Sequence, residues 1–229
     1  TTAISEVPGY VAAAVSDPAR PADQVARDAA RKPAVVMAFS RIKPGDKVLE
    51  LIPGHGYFTR VIAKVVGPTG HDYTAIPQIQ GFDVSRLSSG LAGAPGYANV
   101  SEIPLTPEGL RSAGPVDAIW ISQNYHDLHL PMFHADVMAL DKLFYETLKP
   151  GGVLLIEDHA AVAGSGLRDN NLHRIDEAVV KQELESVGFK LEAESDILRN
   201  PADPHTAAVF DPSIRGHTDQ FLLLFKKPR

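Results

Sequence analysis

Groups able to move a proton are concentrated in two short stretches, Gln123-Asn124-Tyr125-His126-Asp127 and Glu157-Asp158-His159. An imidazole near its unperturbed pKa both takes and gives a proton around neutrality, so His126 and His159 are the candidate general base and acid. Asp127 or Asp158 could orient either ring, and Tyr125 could stack on a substrate or hydrogen-bond it. The competing reading is structural, with His126 and Asp127 capping the next helix, His159 packing on a loop and Tyr125 forming wall. Metal binding is a second use of these side chains: His126, Asp158 and His159, with His173 or His217, could surround a divalent ion. The run His126, His129, His134 does not make a compact zinc pattern, since Pro131 interrupts any shared helix face, and the sequence assigns no metal. The chain has no cysteine, which removes thiolate sites, disulfides and cysteine nucleophiles and leaves the chemistry to histidines and carboxylates.

Regular elements must hold these groups in place. Apolar runs predict strands at 47–52, 72–76, 98–103, 116–122, 152–157, 190–196 and 220–226. Helical spacing puts Phe58, Ile62, Val65 and Val66 on one face, Phe133, Val137, Leu140, Phe144 and Leu148 on another, and Ile175, Val179, Leu184 and Val187 on a third. Two short helices, 22–31 and 33–42, are divided at Lys32-Pro33, because a residue before proline is pushed away from helical angles. Strands alternating with helices predict an α/β protein with a parallel sheet covered on both faces. Ligands of such sheets bind beyond the carboxyl ends of the strands, where both proton-moving stretches fall. His173, Arg174 and Asp176 open the helix after the fifth strand, within reach of them. Residues 1–20 read as an N-terminal arm with little periodicity, and 21–229 as a single domain. The stretch 199–216, with Pro201, Pro204 and Pro212, reads as a loop or lid.

The formal net charge of −6 and the lack of a basic stripe argue against a nucleic-acid partner. The longest apolar runs, 153–156 and 221–225, are far shorter than the roughly 20 residues of a membrane span. The sequence starts Thr1-Thr2-Ala3, which suggests removal of a signal peptide, a tag or an initiator residue.

Lys47 to Thr59 reads as a strand, a glycine turn and a helix start. Gly54 and Gly56 allow backbone to approach a ligand closely, and free amides at the helix start favour a carboxylate or phosphate. His55 lies inside that turn and is either a ligand contact or solvent-facing. A dinucleotide fingerprint is ruled out, since Thr59 occupies the third glycine position and no acid closes the second strand. From Arg41 to Asp196 the chain resembles class I S-adenosylmethionine-dependent methyltransferases. The resemblance lies in Lys43-Pro44-Gly45-Asp46-Lys47-Val48-Leu49-Glu50, Gly54-x-Gly56, Val116-Asp117-Ala118-Ile119-Trp120 and Leu148-Lys149-Pro150-Gly151-Gly152-Val153-Leu154. It is most similar to a bacterial group of predicted methyltransferases whose members often carry export signals, so a bacterial cytoplasm and a periplasm both fit.

The resemblance implies a Rossmann-like, mostly parallel seven-stranded sheet whose antiparallel last strand lies between the fifth and sixth. His205, Arg215, His217 and Asp219 would then sit on the ligand side. It also implies S-adenosylmethionine as cofactor, held by Glu50, Pro53, Gly54, His55, Gly56, Gln78 and Asn124. Ile52 stands where the family has its first glycine, and Ile76-Pro77-Gln78 where an acid meets the ribose, leaving Gln78 as a neutral substitute. Relatives that bind catechols through a divalent ion use carboxylates at the ends of strands four and five, positions held here by Asp127, Glu157 and Asp158. The function implied is methyl transfer to a small aromatic or lipophilic acceptor, with His126 or His159 taking its proton. The alternative on the same fold is a cofactor-independent lyase or isomerase run by the histidine and aspartate cluster, and a third reading is a noncatalytic binding protein. A homodimer is compatible with the sequence.

Overall fold

A computed structural model describes residues 6–229. Its strands are β1 (Lys47–Leu51), β2 (His71–Ile76), β3 (Val100–Pro104), β4 (Val116–Ser122), β5 (Leu148–His159), β6 (Lys190–Ser195) and β7 (Gln220–Lys226). They form one seven-stranded sheet in the order β3-β2-β1-β4-β5-β7-β6. Neighbours from β3 through β5 run parallel, and β7 runs antiparallel to both β5 and β6. The helices are α1 (Gly9–Val15), α2 (Ala22–Val25), α3 (Asp28–Arg31), α4 (Pro33–Ser40), α5 (Tyr57–Val66), α6 (Pro107–Ala113), α7 (Val137–Thr147) and α8 (Glu177–Ser186).

Both faces of the sheet are covered, so the central strands are continuously apolar rather than alternating. Val48, Trp120, Leu155, Leu222 and Leu224 point to one face and pack with Phe58 and Ile62 of α5, Val36 and Met37 of α4 and Val11 of α1. Leu49, Leu51, Ile119, Ile121, Leu154 and Ile156 point to the other and pack with Phe144 of α7 and Val180 and Leu184 of α8. The expected helical faces recur, except that Phe133 lies in a separate turn, Pro131–Phe133, Leu148 opens β5, Ile175 precedes α8 and Val187 follows it. The Asp136 and Asp176 side chains start α7 and α8 by accepting the amides of Ala139 and Ala178.

Two expectations differ from what is found. Residues 9–15, read from sequence as extended arm, form α1, whose Val11 and Ala14 are buried; two buried positions in one short helix leave no periodic signature. The first five residues of that arm lie outside the described residues. The 22–31 segment is two single turns, α2 and α3, and the expected break at Lys32 is present as a left-handed residue, φ 46°. The segment after β6 carries no helix but is pinned rather than loose. The buried Arg174 guanidinium donates to Asp203 at 2.8 and 3.1 Å and to the carbonyls of Ala160 and Ala207 at 2.9 Å.

Candidate active site

The turn after β1 keeps the backbone of a glycine-rich loop at a position that has lost its glycine. Ile52 is left-handed at φ 47°, a conformation that a β-branched residue adopts only under local strain. Its amide donates to Ala75 O at 3.0 Å, which ties the turn to β2. Gly54 is also left-handed, and a Cβ there would meet nothing within 4 Å. Gly56 is closed in, since a Cβ would come within 2.9 Å of the Ser89 side chain. Glu50 is buried, accepts the Thr59 hydroxyl at 2.7 Å, and is pushed up to about 7 by burial. Pro53 completes the turn, and the exposed His55 contributes its carbonyl, which accepts from Gln24 and Arg60, both at 2.8 Å.

Asn124, just beyond β4, clamps this turn. Its Nδ2 donates to the carbonyls of Leu51 (3.0 Å), Ile52 (3.2 Å) and Ser122 (3.0 Å). Its Oδ1 is buried and has no partner among the described residues. A buried amide oxygen left unsatisfied is costly, and this one lies beside the turn that Asn124 clamps. Gln78 is exposed and lies on a separate cavity of about 270 Å³ with Pro77, Leu105, Leu128, Phe133 and Leu140.

His126, Asp127, Asp158 and His173 come together at the carboxyl ends of β4 and β5, where Asp158 is the penultimate residue of β5. Asp158 is wholly buried and accepts the His126 backbone amide at 2.8 Å, while its Oδ1 lies 2.7 Å from His126 Nδ1. His126 Nε2 lies 3.1 Å from Asp127 Oδ1 and 3.2 Å from His173 Nδ1, and His173 Nδ1 lies 3.3 Å from Asp127 Oδ1. Burial works against charge on His126, but Asp158 and Asp127 outweigh it and push the imidazole up to about 10. Burial likewise opposes charge on Asp127, which the two histidines nonetheless hold down to about 2.

His159 has a different environment. Its Nδ1 is 2.7 Å from the Thr218 hydroxyl, and burial pushes its pKa down to about 4, so the ring is neutral at pH 7. It lines a cavity of about 590 Å³ with Arg27, Arg31, Gln123, Val209 and Phe210. His217 and Arg215 reach the same cavity, whereas His205 lies 2.9 Å from Asp219 and helps hold the loop.

Three candidates stand apart from this chemistry. Tyr125 is buried, and its hydroxyl lies 2.8 Å from both Asp141 and Glu183, away from the cavity, so it is a structural anchor. Glu157 does not join Asp127 and Asp158: its Oε2 accepts the Ser122 hydroxyl at 2.7 Å and its other oxygen lies 3.9 Å from Arg31. Asp176 caps a helix and accepts amides of Gly164 and Gly166. Arg31 was not foreseen from sequence. Its guanidinium lies over the rings of Tyr57 (4.3 Å) and Phe58 (4.7 Å), donates to Ser122 at 2.9 Å, and faces the cavity. Only its position in a helix beside the glycine turn could have pointed to it.

The Tyr125 anchor carries a pH prediction. Burial pushes Asp141 up to about 8, whereas the unfolded carboxyl ionises near 4. The protonated carboxyl's contribution is therefore complete below about pH 4 and is lost as pH rises through about 8. Asp141→Asn should match the parent in urea unfolding near pH 4 and exceed it at pH 8, by an amount of the order of a few kcal/mol.

No family model matches the chain. It is 31% identical over 126 residues to protein-L-isoaspartate O-methyltransferase of Ignicoccus hospitalis, an alignment covering 54% of this chain and 52% of that one. The chain thus spans about half the length of this curated relative. Among solved structures it is similar to the [4+2]-cyclase SpnF, with TM-score 0.61 and 18% identity over 93% of this chain and 84% of that chain. It is also similar to the arsenic(III) S-adenosylmethionine methyltransferase CrArsM of Chlamydomonas reinhardtii, with TM-score 0.58 and 18% identity over 97% and 74% of the two chains. With the strand order, the antiparallel β7 and the turn after β1, these likenesses give the chain the fold of the class I S-adenosylmethionine-dependent methyltransferases.

Proposed function

We propose that the protein is an S-adenosylmethionine-dependent methyltransferase acting on a small aromatic or lipophilic acceptor. The observation that carries this reading is the buried, partnerless Asn124 Oδ1 beside an open left-handed turn at Gly54. A cationic amino group is the natural partner for such an acceptor, and the turn leaves room for a ligand to approach its backbone. Glu50, the 52–56 turn and Asn124 would hold the amino-acid end of the cofactor. When bound, the cofactor supplies an electrophilic methyl group on a sulfonium.

The protein's own residues then bind and align the acceptor. Ala29, Ala30, Val209 and Phe210 give the cavity an apolar wall, and Arg31 offers a charge to a polar substituent. His159 is neutral and takes the proton from the acceptor oxygen or nitrogen as the methyl group is transferred in line. Asp158 is next to it in the chain and accepts its backbone amide at 2.7 Å, and this negative charge favours the imidazolium that forms. Calorimetric titration with S-adenosylhomocysteine should give one site per chain, and absence of binding up to millimolar ligand would overturn the reading.

Ile52 allows a sharper test. Replacing it with glycine relieves about 1–3 kcal/mol of strain and removes a side chain whose burial contributes about 1.5–3 kcal/mol, so stability should change little. The cleared turn should bind S-adenosylhomocysteine about tenfold more tightly by calorimetry.

A second reading draws on the likeness to SpnF. Here the same cavity and imidazoles act on the acceptor without methyl transfer. Cofactor binding with no methylated product from any acceptor that the protein converts would favour it.

A further inference from the structure

We infer that His126 Nε2, His173 Nδ1 and Asp127 Oδ1 form a binding site for a divalent transition-metal ion of the zinc or iron(II) type. The three atoms are drawn from two elements far apart in the chain. His126 and Asp127 lie on the short turn His126–His129 after β4, and His173 follows the turn Asn170–Leu172 beyond β5. They nevertheless converge, with separations of 3.1, 3.2 and 3.3 Å.

Those separations match a coordination sphere. An ion about 2.1 Å from each atom would see the three at angles of roughly 95–105°, between octahedral and tetrahedral values. Two imidazole nitrogens and one carboxylate on one face of an ion are a donor set suited to zinc or iron(II), and a poor one for magnesium or calcium, which prefer oxygen ligands.

The surroundings supply what such a site needs beyond its ligands. Asp158 is wholly buried and its Oδ1 sits 2.7 Å from His126 Nδ1. A carboxylate there holds a proton on Nδ1, the carboxylate–histidine pairing that orients metal-bound imidazoles, and Nε2 releases its proton to solvent as the ion takes that place. His173 is held in a left-handed conformation at φ 57°, with its ring 4.9 Å from the Phe210 ring. A non-glycine residue kept in that region marks a position fixed by its surroundings. The His173 and Asp127 side chains are 32% and 21% exposed, so an ion held by three protein atoms would keep open positions toward solvent. Phe210 also lines the larger cavity, so those positions lie near its rim.

This site stands apart from cofactor binding, and its test does not depend on turnover. The full chain is stripped with a chelator, dialysed, and titrated calorimetrically with zinc, with nickel or manganese as comparison ions. One ion per chain is expected, with affinity in the micromolar range or tighter. Asp127→Ala and His173→Ala, both on part-exposed side chains, should each weaken binding at least 100-fold. Asp158→Asn, which leaves all three ligands in place, should weaken it 10- to 100-fold, as loss of an orienting partner does. His71→Ala, on the far side of the sheet beside Ser101, should leave affinity unchanged and reports on adventitious imidazole binding. Cobalt(II) loading gives an independent readout, since its visible spectrum should change with Asp127→Ala and His173→Ala and not with His71→Ala. If His126→Ala does not fold, these part-exposed variants decide the matter. Binding weaker than millimolar, or zinc affinity that Asp127→Ala and His173→Ala leave within threefold of the parent, overturns the site.

Discussion

Asp203→Ala lowers the free energy of unfolding by about 3–5 kcal/mol, measured as a fall in the urea midpoint with an unchanged slope. The reason is the charge it leaves behind. Arg174 and Asp203 have fully buried side chains, and the guanidinium makes two hydrogen bonds to that carboxylate. Asp203 also accepts the backbone amides of Asp219 at 2.7 Å and His205 at 3.0 Å. Truncation strands a buried cation and two amides at once. A double replacement, Arg174→Met with Asp203→Leu, removes both charges and should recover the part of the loss owed to the stranded cation, while the amides of Asp219 and His205 stay unpaired. Because Arg174 also holds the carbonyls of Ala160 and Ala207, Asp203→Ala should speed amide exchange across 199–219 while leaving the central strands protected. A change below about 1 kcal/mol would show that the pair is not what secures this segment.

His159→Ala reduces kcat about 10²- to 10⁴-fold with any acceptor that the parent methylates, while S-adenosylhomocysteine affinity stays within a factor of two. The two readouts separate because His159 faces the larger cavity and makes no hydrogen bond to the turn after β1. His159→Asn keeps a side chain able to meet Thr218 but cannot take a proton, and it should be as inactive as alanine. An unchanged kcat in both variants would remove His159 from the chemistry and leave the proton to water.

The central strands were legible because they are buried on both faces and so write apolar runs, as 221–225 does for β7. The long helices were legible from spacing, since Phe58 and Ile62 of α5 face one core. α1 was not, because its two buried residues are too few to set a period. At the site, sequence placed His126, Asp127, Asp158 and His159 beyond the strand ends, but it could not divide them. Asp158 turns to the His126 ring and Thr218 meets the His159 ring, contacts that depend on residues 32 and 59 positions away. Tyr125 could not be divided between substrate contact and wall for a related reason: it adjoins the site in sequence while its hydroxyl reaches Asp141 of α7 and Glu183 of α8. The left-handed Ile52 is the reverse case, where residue type argued against a glycine turn and the clamp by Asn124 overrides it.

The short helices α2 and α3 have a thermodynamic consequence. One end of this segment grips the turn after β1 through Gln24 and the His55 carbonyl, and the other closes the larger cavity through Arg31 and Ser122. Asp28 braces the middle, accepting from Arg20 and from Tyr57 at 2.6 Å. A ligand at either end that shifts or stiffens the segment therefore changes the free energy of binding at the other, by an amount that must be equal in both directions. What residues 20–31 set is the size of that coupling, and its equality in both directions leaves the order of arrival free.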